Sequence, residues 1–329
     1  MKKEDLRIVF MGTPEFAVET LDALVSGGYN VVAVVTQPDK PVGRHGSVLQ
    51  PSQVKQYAQE HHLPILQPEK MKDEAFIEQL RSFNANLQVV VAFRMLPEVV
   101  WSMPAYGTFN VHAALLPQYR GAAPINWAVI NGETRTGVST FFLDHDIDTG
   151  RVIMQMPFDI ADDYNVEDVY DGLMHLGADI CLKTIDRILE ADGHPDSIPQ
   201  EQLMTAGEAL HPAPKIFKDT CRIDWQRLTS KQAYDFIRGL SPYPGAWTTL
   251  VDDKGHETVL KIYASSKSEE TVPEGGETGG IYVIAKKLYV MTADGKLLQL
   301  VEVQMAGKKR MKAKDFINGI KNLTLFHVK

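Results

Sequence analysis

The 329-residue sequence predicts an α/β protein with a second, all-β part. Three observations carry this reading. Near-continuous apolar runs of strand length alternate with helical patterns over the first 190 residues. A polar, Pro- and Gly-containing stretch, ADGHPDSIPQ at 191–200, then breaks the alternation. From about 210 onward short strands are separated by Gly-containing turns. Apolar runs without a polar face belong to parallel strands covered on both sides by helices, whereas short strands with frequent turns belong to small barrels.

The elements follow in order. LRIVFM (6–11) is a first buried strand, followed by a helix over 15–26, and VVAVVT (31–36) is the second strand. QPDKPVGRHGSVLQP then reads as a long loop. Helical patterns at 51–60 and 73–82 lead to strands at 87–93, 107–112, 137–143 and 151–158, and a helix covers 166–190. The expected architecture is a Rossmann-like, doubly wound, mostly parallel sheet over 1–190, a linker over 191–209, and an OB-like barrel over 210–329. TVLKIYA, GGIYVIA, KLYVMT and LLQLVEV supply barrel strands.

Composition narrows the function classes. With 44% hydrophobic and 23% charged residues the chain is an ordinary globular protein, and its length favours two domains. No run of about 18 apolar residues suggests a membrane span, and MKKEDLRIVFMG lacks a secretory leader's long apolar region. Cys181 and Cys221 form no C-x-x-C pair, which argues against a disulfide framework or zinc knuckle and fits a reducing cytoplasm. Charge is uneven. Residues 1–209 hold 15 Lys and Arg against 29 Asp and Glu, a net of −14, while residues 210–329 hold 19 against 13, a net of +6. A basic second part attached to an acidic first part suits a polyanionic partner, although surface charge also drifts along chains without consequence.

Gly12-Thr13-Pro14-Glu15-Phe16-Ala17 stands where a dinucleotide fingerprint would stand but lacks its later glycines, and Glu15 opposes a pyrophosphate. Thr13 as helix cap and Pro14 at the first helical position explain the segment structurally. Asn110-Val111-His112 is the sharpest local feature, since residues two apart on a strand share one face. An amide and an imidazole together offer a donor to a developing oxyanion and a group that handles protons, although an Asn-x-His pair is more often structural. The apolar loop Ala113–Gly121 after this strand suits either a flat ring system or burial beneath the second domain. LDHDIDTG (143–150) invites a calcium reading, but Thr149 and Gln155 occupy the sixth and twelfth loop positions. A carboxylate able to orient His112, or a solvated acidic loop, remains. Near the C-terminus Lys308, Lys309, Arg310, Lys312 and Lys314 form a basic cluster, and Arg44 lies in the long loop after the second strand. Such residues contact phosphates or simply solvate a turn.

These segments together resemble the folate-dependent formyltransferases. MGTPEFA (11–17), TQPDKPVGR (36–44), FNVHAALLPQYRGAAPI (109–125), LDHDIDTG (143–150), RIDW (222–225), SPYPGAW (241–247) and AGKKRMKAKDF (306–316) carry the likeness over essentially the whole chain. The later segments and the length point to the branch that acts on tRNA. The resemblance implies a Rossmann-like catalytic domain and an OB-like tRNA-binding domain. It implies transfer of the formyl group of 10-formyltetrahydrofolate to the amine of initiator methionyl-tRNA by a cytoplasmic monomer with no metal in the chemistry. By the same resemblance Asn110, His112 and Asp148 are the catalytic trio. Ala114, Leu115, Leu116 and Pro117 contact the folate, with Ala114 where the family usually has Ser. Arg44, Lys308, Lys309, Arg310 and Lys312 face the tRNA. Two rivals stand beside this reading. One is a formyltransferase acting on a nucleotide sugar or ribonucleotide amine, and the other is an RNA-binding protein that has lost activity.

Overall fold

A computed structural model describes residues 2–42 and 48–329. Arg44 lies outside the described residues. The chain forms two compact units. The first comprises residues 1–121, 135–159 and 170–212, and the second comprises 122–134, 160–169 and 213–329.

The first unit is built on a seven-stranded sheet. Its elements begin with β1 (Ile8–Gly12), α1 (Glu15–Ser26), β2 (Val31–Val35), β3 (Lys40–Val42), β4 (Val48–Gln50), α2 (Gln53–Glu60), β5 (Ile65–Leu66) and α3 (Glu74–Ser82). They continue with β6 (Leu87–Val91), α4 (Glu98–Trp101) and β7 (Thr108–His112). After α5 (Pro124–Ile130), which belongs to the second unit, come β8 (Arg135–Phe142), β9 (Val152–Asp159) and α6 (Val166–Glu190). The sheet order is β5-β2-β1-β6-β7-β8-β9. The pairs from β5 to β7 are parallel, and β8 and β9 add antiparallel strands at one edge. Val9, Met11, Ala33, Val35 and Val90 project from the sheet into one apolar core with Phe76 and Leu80 of α3, as the fully apolar strands require.

Chain order reverses between β1 and β6, so the crevice beyond the carboxyl ends of β1, β6 and β7 is the ligand-binding edge of such a sheet. Two local readings change. The stretch read as a long loop contains an antiparallel ribbon, with Lys40 opposite Gln50 and Val42 opposite Val48. Thr13 is not the cap of α1. Pro14 is the flanking residue with extended backbone (ψ 174°), its carbonyl accepts the Ala17 amide at 2.9 Å, and the buried Thr13 hydroxyl has no partner among the described residues.

In the second unit α7 (Ser230–Gly239) precedes β10 (Ala246–Val251), β11 (Glu257–Ser266), β12 (Ile281–Ile284), β13 (Lys287–Met291) and β14 (Leu297–Met305). β15 (Met311–Lys312), α8 (Ala313–Gly319) and β16 (His327–Val328) complete it. The antiparallel order is β12-β13-β14-β11-β10-β16. His327 bridges back to Gly280 beside β12, and the Val328 amide donates to the Gly279 carbonyl at 2.8 Å. The path therefore returns on itself as a barrel-like sheet around Trp225, Ile237, Leu260, Leu298 and Phe316.

The division of the chain differs from boundaries at 190 and 210, because residues 122–134 and 160–169 pack onto α7. The helices α5 and α7 meet so closely that a Cβ on Gly239 would lie 2.6 Å from the Ile130 side chain. The Asn126 amide donates to the Gly239 carbonyl at 2.9 Å. Buried Arg238 donates to the Tyr164 carbonyl (2.7 Å) and to Asp235 (2.8 Å). Residues 191–212, most of which read as linker, are part of the first unit. Ile198 bridges to Val152, and a short 3-10 turn covers Gln200–Leu203.

Candidate active site

β7 ends at the ligand-binding edge with Asn110 and His112 on one face. Its neighbours fix its register, with Asn110 opposite Val90 of β6 and His112 opposite Ser139 of β8. His112 is only 6% exposed. Its Nε2 lies 2.9 Å from the Tyr119 carbonyl oxygen, and its Nδ1 lies 3.9 Å from Asp148 Oδ2. A carbonyl only accepts, so Nε2 carries a proton. In the neutral ring Nδ1 is then the lone-pair nitrogen, turned toward a carboxylate beyond hydrogen-bonding reach. This arrangement suits a shared proton or an N–H donor between the two groups.

Asp148 stands in the left-handed region (φ 55°), and its Oδ2 accepts the Gly121 amide at 2.9 Å. The Oδ1 atom of half-buried Asn110 is buried without a hydrogen-bond partner among the described residues. Buried polar atoms are nearly always paired, so an open one beside an imidazole marks a place where a bound molecule completes the bonding. The sheet edge thus gathers an amide, an imidazole and a carboxylate from two segments 36 residues apart in sequence.

The 114–117 segment follows directly, but its side chains largely face inward. Ala114, Leu116 and Pro117 are buried and only Leu115 is partly exposed. Leu116 packs on Phe141 and Val152. Ser139, fully buried, pins the segment from beneath. Its hydroxyl donates to the Ala114 carbonyl (2.7 Å) and accepts from the Leu116 amide (3.0 Å). Gln155 Nε2 donates to the Leu116 carbonyl at 2.8 Å. Gly137 allows the close approach, since a Cβ there would lie 2.6 Å from Leu115 Cδ2. Sequence reasoning missed Ser139, Gln155 and Gln200, because each acts through a contact distant in sequence, and Tyr119, because its carbonyl meets His112 only where the loop folds back over its own strand. Asp39, which lies after β2 about where a dinucleotide fold places its ribose-binding acid, is occupied elsewhere. Hydrogen bonds from Lys55 (2.6 Å) and Gln67 (2.8 Å) hold its carboxyl below the usual range, which leaves no free acid for a ribose. Among the described residues no three His, Cys, Asp or Glu side chains are grouped to hold a metal ion, and no helix is long and apolar enough to cross a membrane.

Comparison with known proteins matches this arrangement to a family. A profile described as "Formyl transferase" matches residues 6–185, and one described as "Formyl transferase, C-terminal domain" matches 215–321. The chain belongs to the formyl transferase family. It is 59% identical over 330 residues to a methionyl-tRNA formyltransferase of Parabacteroides distasonis, with both chains covered completely. The fold is shared with HypX from Aquifex aeolicus solved in complex with tetrahydrofolic acid. That match has a TM-score of 0.60 and 16% identity, and it covers 95% of this chain and 47% of HypX, so the chain spans about half of that protein's length. An N-formyltransferase from Helicobacter canadensis, in complex with folinic acid and dTDP-3-aminofucose, matches with TM-score 0.58 and 18% identity over 90% of this chain and 98% of its own.

The second unit of this formyl transferase carries the expected basic cluster in a partly compensated form. Arg310 pairs with Glu302 at 2.8 Å and stacks over Tyr263, and Lys312 approaches the same carboxylate at 3.5 Å. The two cations hold the Glu302 carboxyl below its usual range, hydrogen bonding from Arg310 being the larger cause. Lys308 and Lys309 are exposed and make no ion pair among the described residues. A second basic face was not read from sequence. Tyr243, 82% exposed, lines a cavity with Lys215, Ile216 and Asn126. Lys215 lies over the exposed Phe217 ring and Arg222 over Trp247. Cations around an aromatic residue stand in KIFKDTCR and aromatics alone in SPYPGAW, and only the fold brings these two segments together.

Proposed function

We propose that the chain transfers the formyl group of 10-formyltetrahydrofolate to the α-amino group of initiator methionyl-tRNA, giving formylmethionyl-tRNA for translation initiation. The observation that carries the proposal is the 59% identity to a methionyl-tRNA formyltransferase over the full length of both chains, the basic stretch 210–329 included. A small-molecule substrate would give the cations of that stretch no role.

Asn110, His112 and Asp148 act together in this reading. The neutral amine attacks the formyl carbon, and the new carbon–nitrogen bond places a negative charge on the formyl oxygen. The Asn110 amide stabilises that oxyanion, because a donor set in a buried site needs no reorganisation as charge develops. The amine proton passes by way of His112 and Asp148 to the folate nitrogen as its bond to the formyl carbon breaks. Asp148, the nearest anion, stabilises the imidazolium during that transfer. The 114–117 segment, pinned from beneath by Ser139, presents Leu115 and backbone edges to the folate. Lys308, Lys309, Arg310 and Lys312, with Arg44 outside the described residues, are proposed to face tRNA phosphates. The reading also implies a cytoplasmic enzyme acting as a monomer.

The test supplies 10-formyltetrahydrofolate with methionyl initiator tRNA, methionyl elongator tRNA or a nucleotide-linked amino sugar. Formylation of initiator methionyl-tRNA well above the others is expected. Formylation of the sugar alone would replace the proposal with its small-molecule rival, and no product from any amine would leave a binding protein.

A further inference from the structure

We infer that Gln200 is a positioning residue for Asp148 and, through it, for proton handling at His112. The inference rests on the function proposed above. Gln200 lies in the segment that sequence composition presents as a linker, yet it is 1% exposed and its amide is used at both ends. Nε2 donates to the Asp148 and Gly150 carbonyls, both at 2.8 Å. Oε1 accepts from Arg120 Nε at 3.0 Å and Nη2 at 2.6 Å.

These bonds close a ring. Arg120 is held by Gln200, the next residue's amide (Gly121) holds the Asp148 carboxylate, and the Asp148 backbone returns to Gln200. The preceding residue, Tyr119, supplies the carbonyl against His112 Nε2. One amide therefore braces the short segment that contacts both His112 and Asp148. Asp148 needs such bracing, because a non-glycine residue in the left-handed region persists only where its surroundings over-determine it. Neighbouring bonds strengthen the brace. Gln118 Nε2 donates to Glu208 (2.8 Å) and to the Ala209 carbonyl (2.9 Å), and the Tyr119 amide donates to the His211 carbonyl at 2.7 Å. The segment leading to the second unit is thus part of the catalytic frame.

The experiment compares Gln200→Glu, Gln200→Leu and Asp148→Asn with the unchanged full chain. Gln200→Glu keeps an acceptor for Arg120 but removes both donors to the 148–150 loop. Its kcat should fall about 10- to 100-fold, the scale of a reactive group displaced by about 1 Å. KM for 10-formyltetrahydrofolate and for methionyl-tRNA should stay within about twofold of the unchanged chain. The loss should be non-additive: Gln200→Glu combined with Asp148→Asn should be no slower than Asp148→Asn alone. The His112 ring-nitrogen resonances should move in Gln200→Glu. An unchanged kcat in Gln200→Glu, or losses that multiply in the double variant, would overturn the inference even if Gln200→Leu does not fold. If the unchanged chain formylates no amine, the proposed function has failed. The ring resonances then decide separately, and unmoved resonances overturn the coupling of Gln200 to His112.

Discussion

Removing the Ser139 hydroxyl tests how the 114–117 segment is held. In Ser139→Ala the Ala114 carbonyl loses its donor at 2.7 Å and the Leu116 amide its acceptor at 3.0 Å, both in a fully buried setting. Gln155 Nε2 loses its second acceptor, Ser139 Oγ at 2.9 Å, but still serves the Leu116 carbonyl, so two groups are stranded rather than three. A buried unsatisfied group costs about 1–3 kcal/mol, so two give a destabilisation of about 2–6 kcal/mol for the first unit. Urea denaturation followed by circular dichroism should show an earlier transition with an unchanged slope. Hydrogen exchange at the Leu116 amide should lose protection directly. Because His112 opposes Ser139 across the strands and the pinned loop follows His112, the change should also reach the donor site. KM for 10-formyltetrahydrofolate should rise about tenfold or more, with KM for tRNA little altered. A destabilisation below about 1 kcal/mol together with an unchanged folate KM would refute the assignment of Ser139 as the pin.

Other expectations rest on the same geometry. His112→Ala should lower kcat by about 10²–10⁴ in single-turnover assays with both KM values nearly preserved, and near-normal turnover would remove His112 from the chemistry. Neutralising Lys308 and Lys309 should make the fall of log K for tRNA with log salt shallower, by roughly 0.7–0.9 for each phosphate that these lysines neutralise, read by filter binding; an unchanged slope would make them ordinary surface. Arg310→Ala should change that slope less, since Glu302 already pairs with it. Asp235→Asn strands buried Arg238 and should cost about 3–5 kcal/mol, while replacing both by apolar residues should cost far less; equal losses in the two variants would contradict a charge-based origin. The hydrogen bond and charge of Glu19 raise the His175 pKa above its ordinary 6.5. A raised folded value means that this contribution is present below the unfolded pKa and fades as pH rises through the folded one. Glu19→Gln should therefore lower the His175 midpoint in an NMR titration, and an unmoved midpoint would deny the pair.

The sequence alone determined the layered architecture, because the physics involved is local. VVAVVT and LQVVVAF can be buried only as strands covered on both faces, and Asn110 and His112 share a face by strand geometry whatever surrounds them. α7 was not read from the sequence, although the T-x-x-Q spacing of Thr229 and Gln232, which form a reciprocal cap, was there to be read, because strand-rich sequence surrounds it. Tertiary structure alone decided which His112 nitrogen meets the Tyr119 carbonyl and which unit claims residues 122–134 and 160–169. It also decided that a glutamine in an apparent linker holds the Asp148 loop. Each of these depends on hydrogen bonds and ion pairs between groups far apart along the chain or on how a loop folds back over its own strand. Their strength comes from burial, and burial is a property of the folded whole rather than of any sequence window.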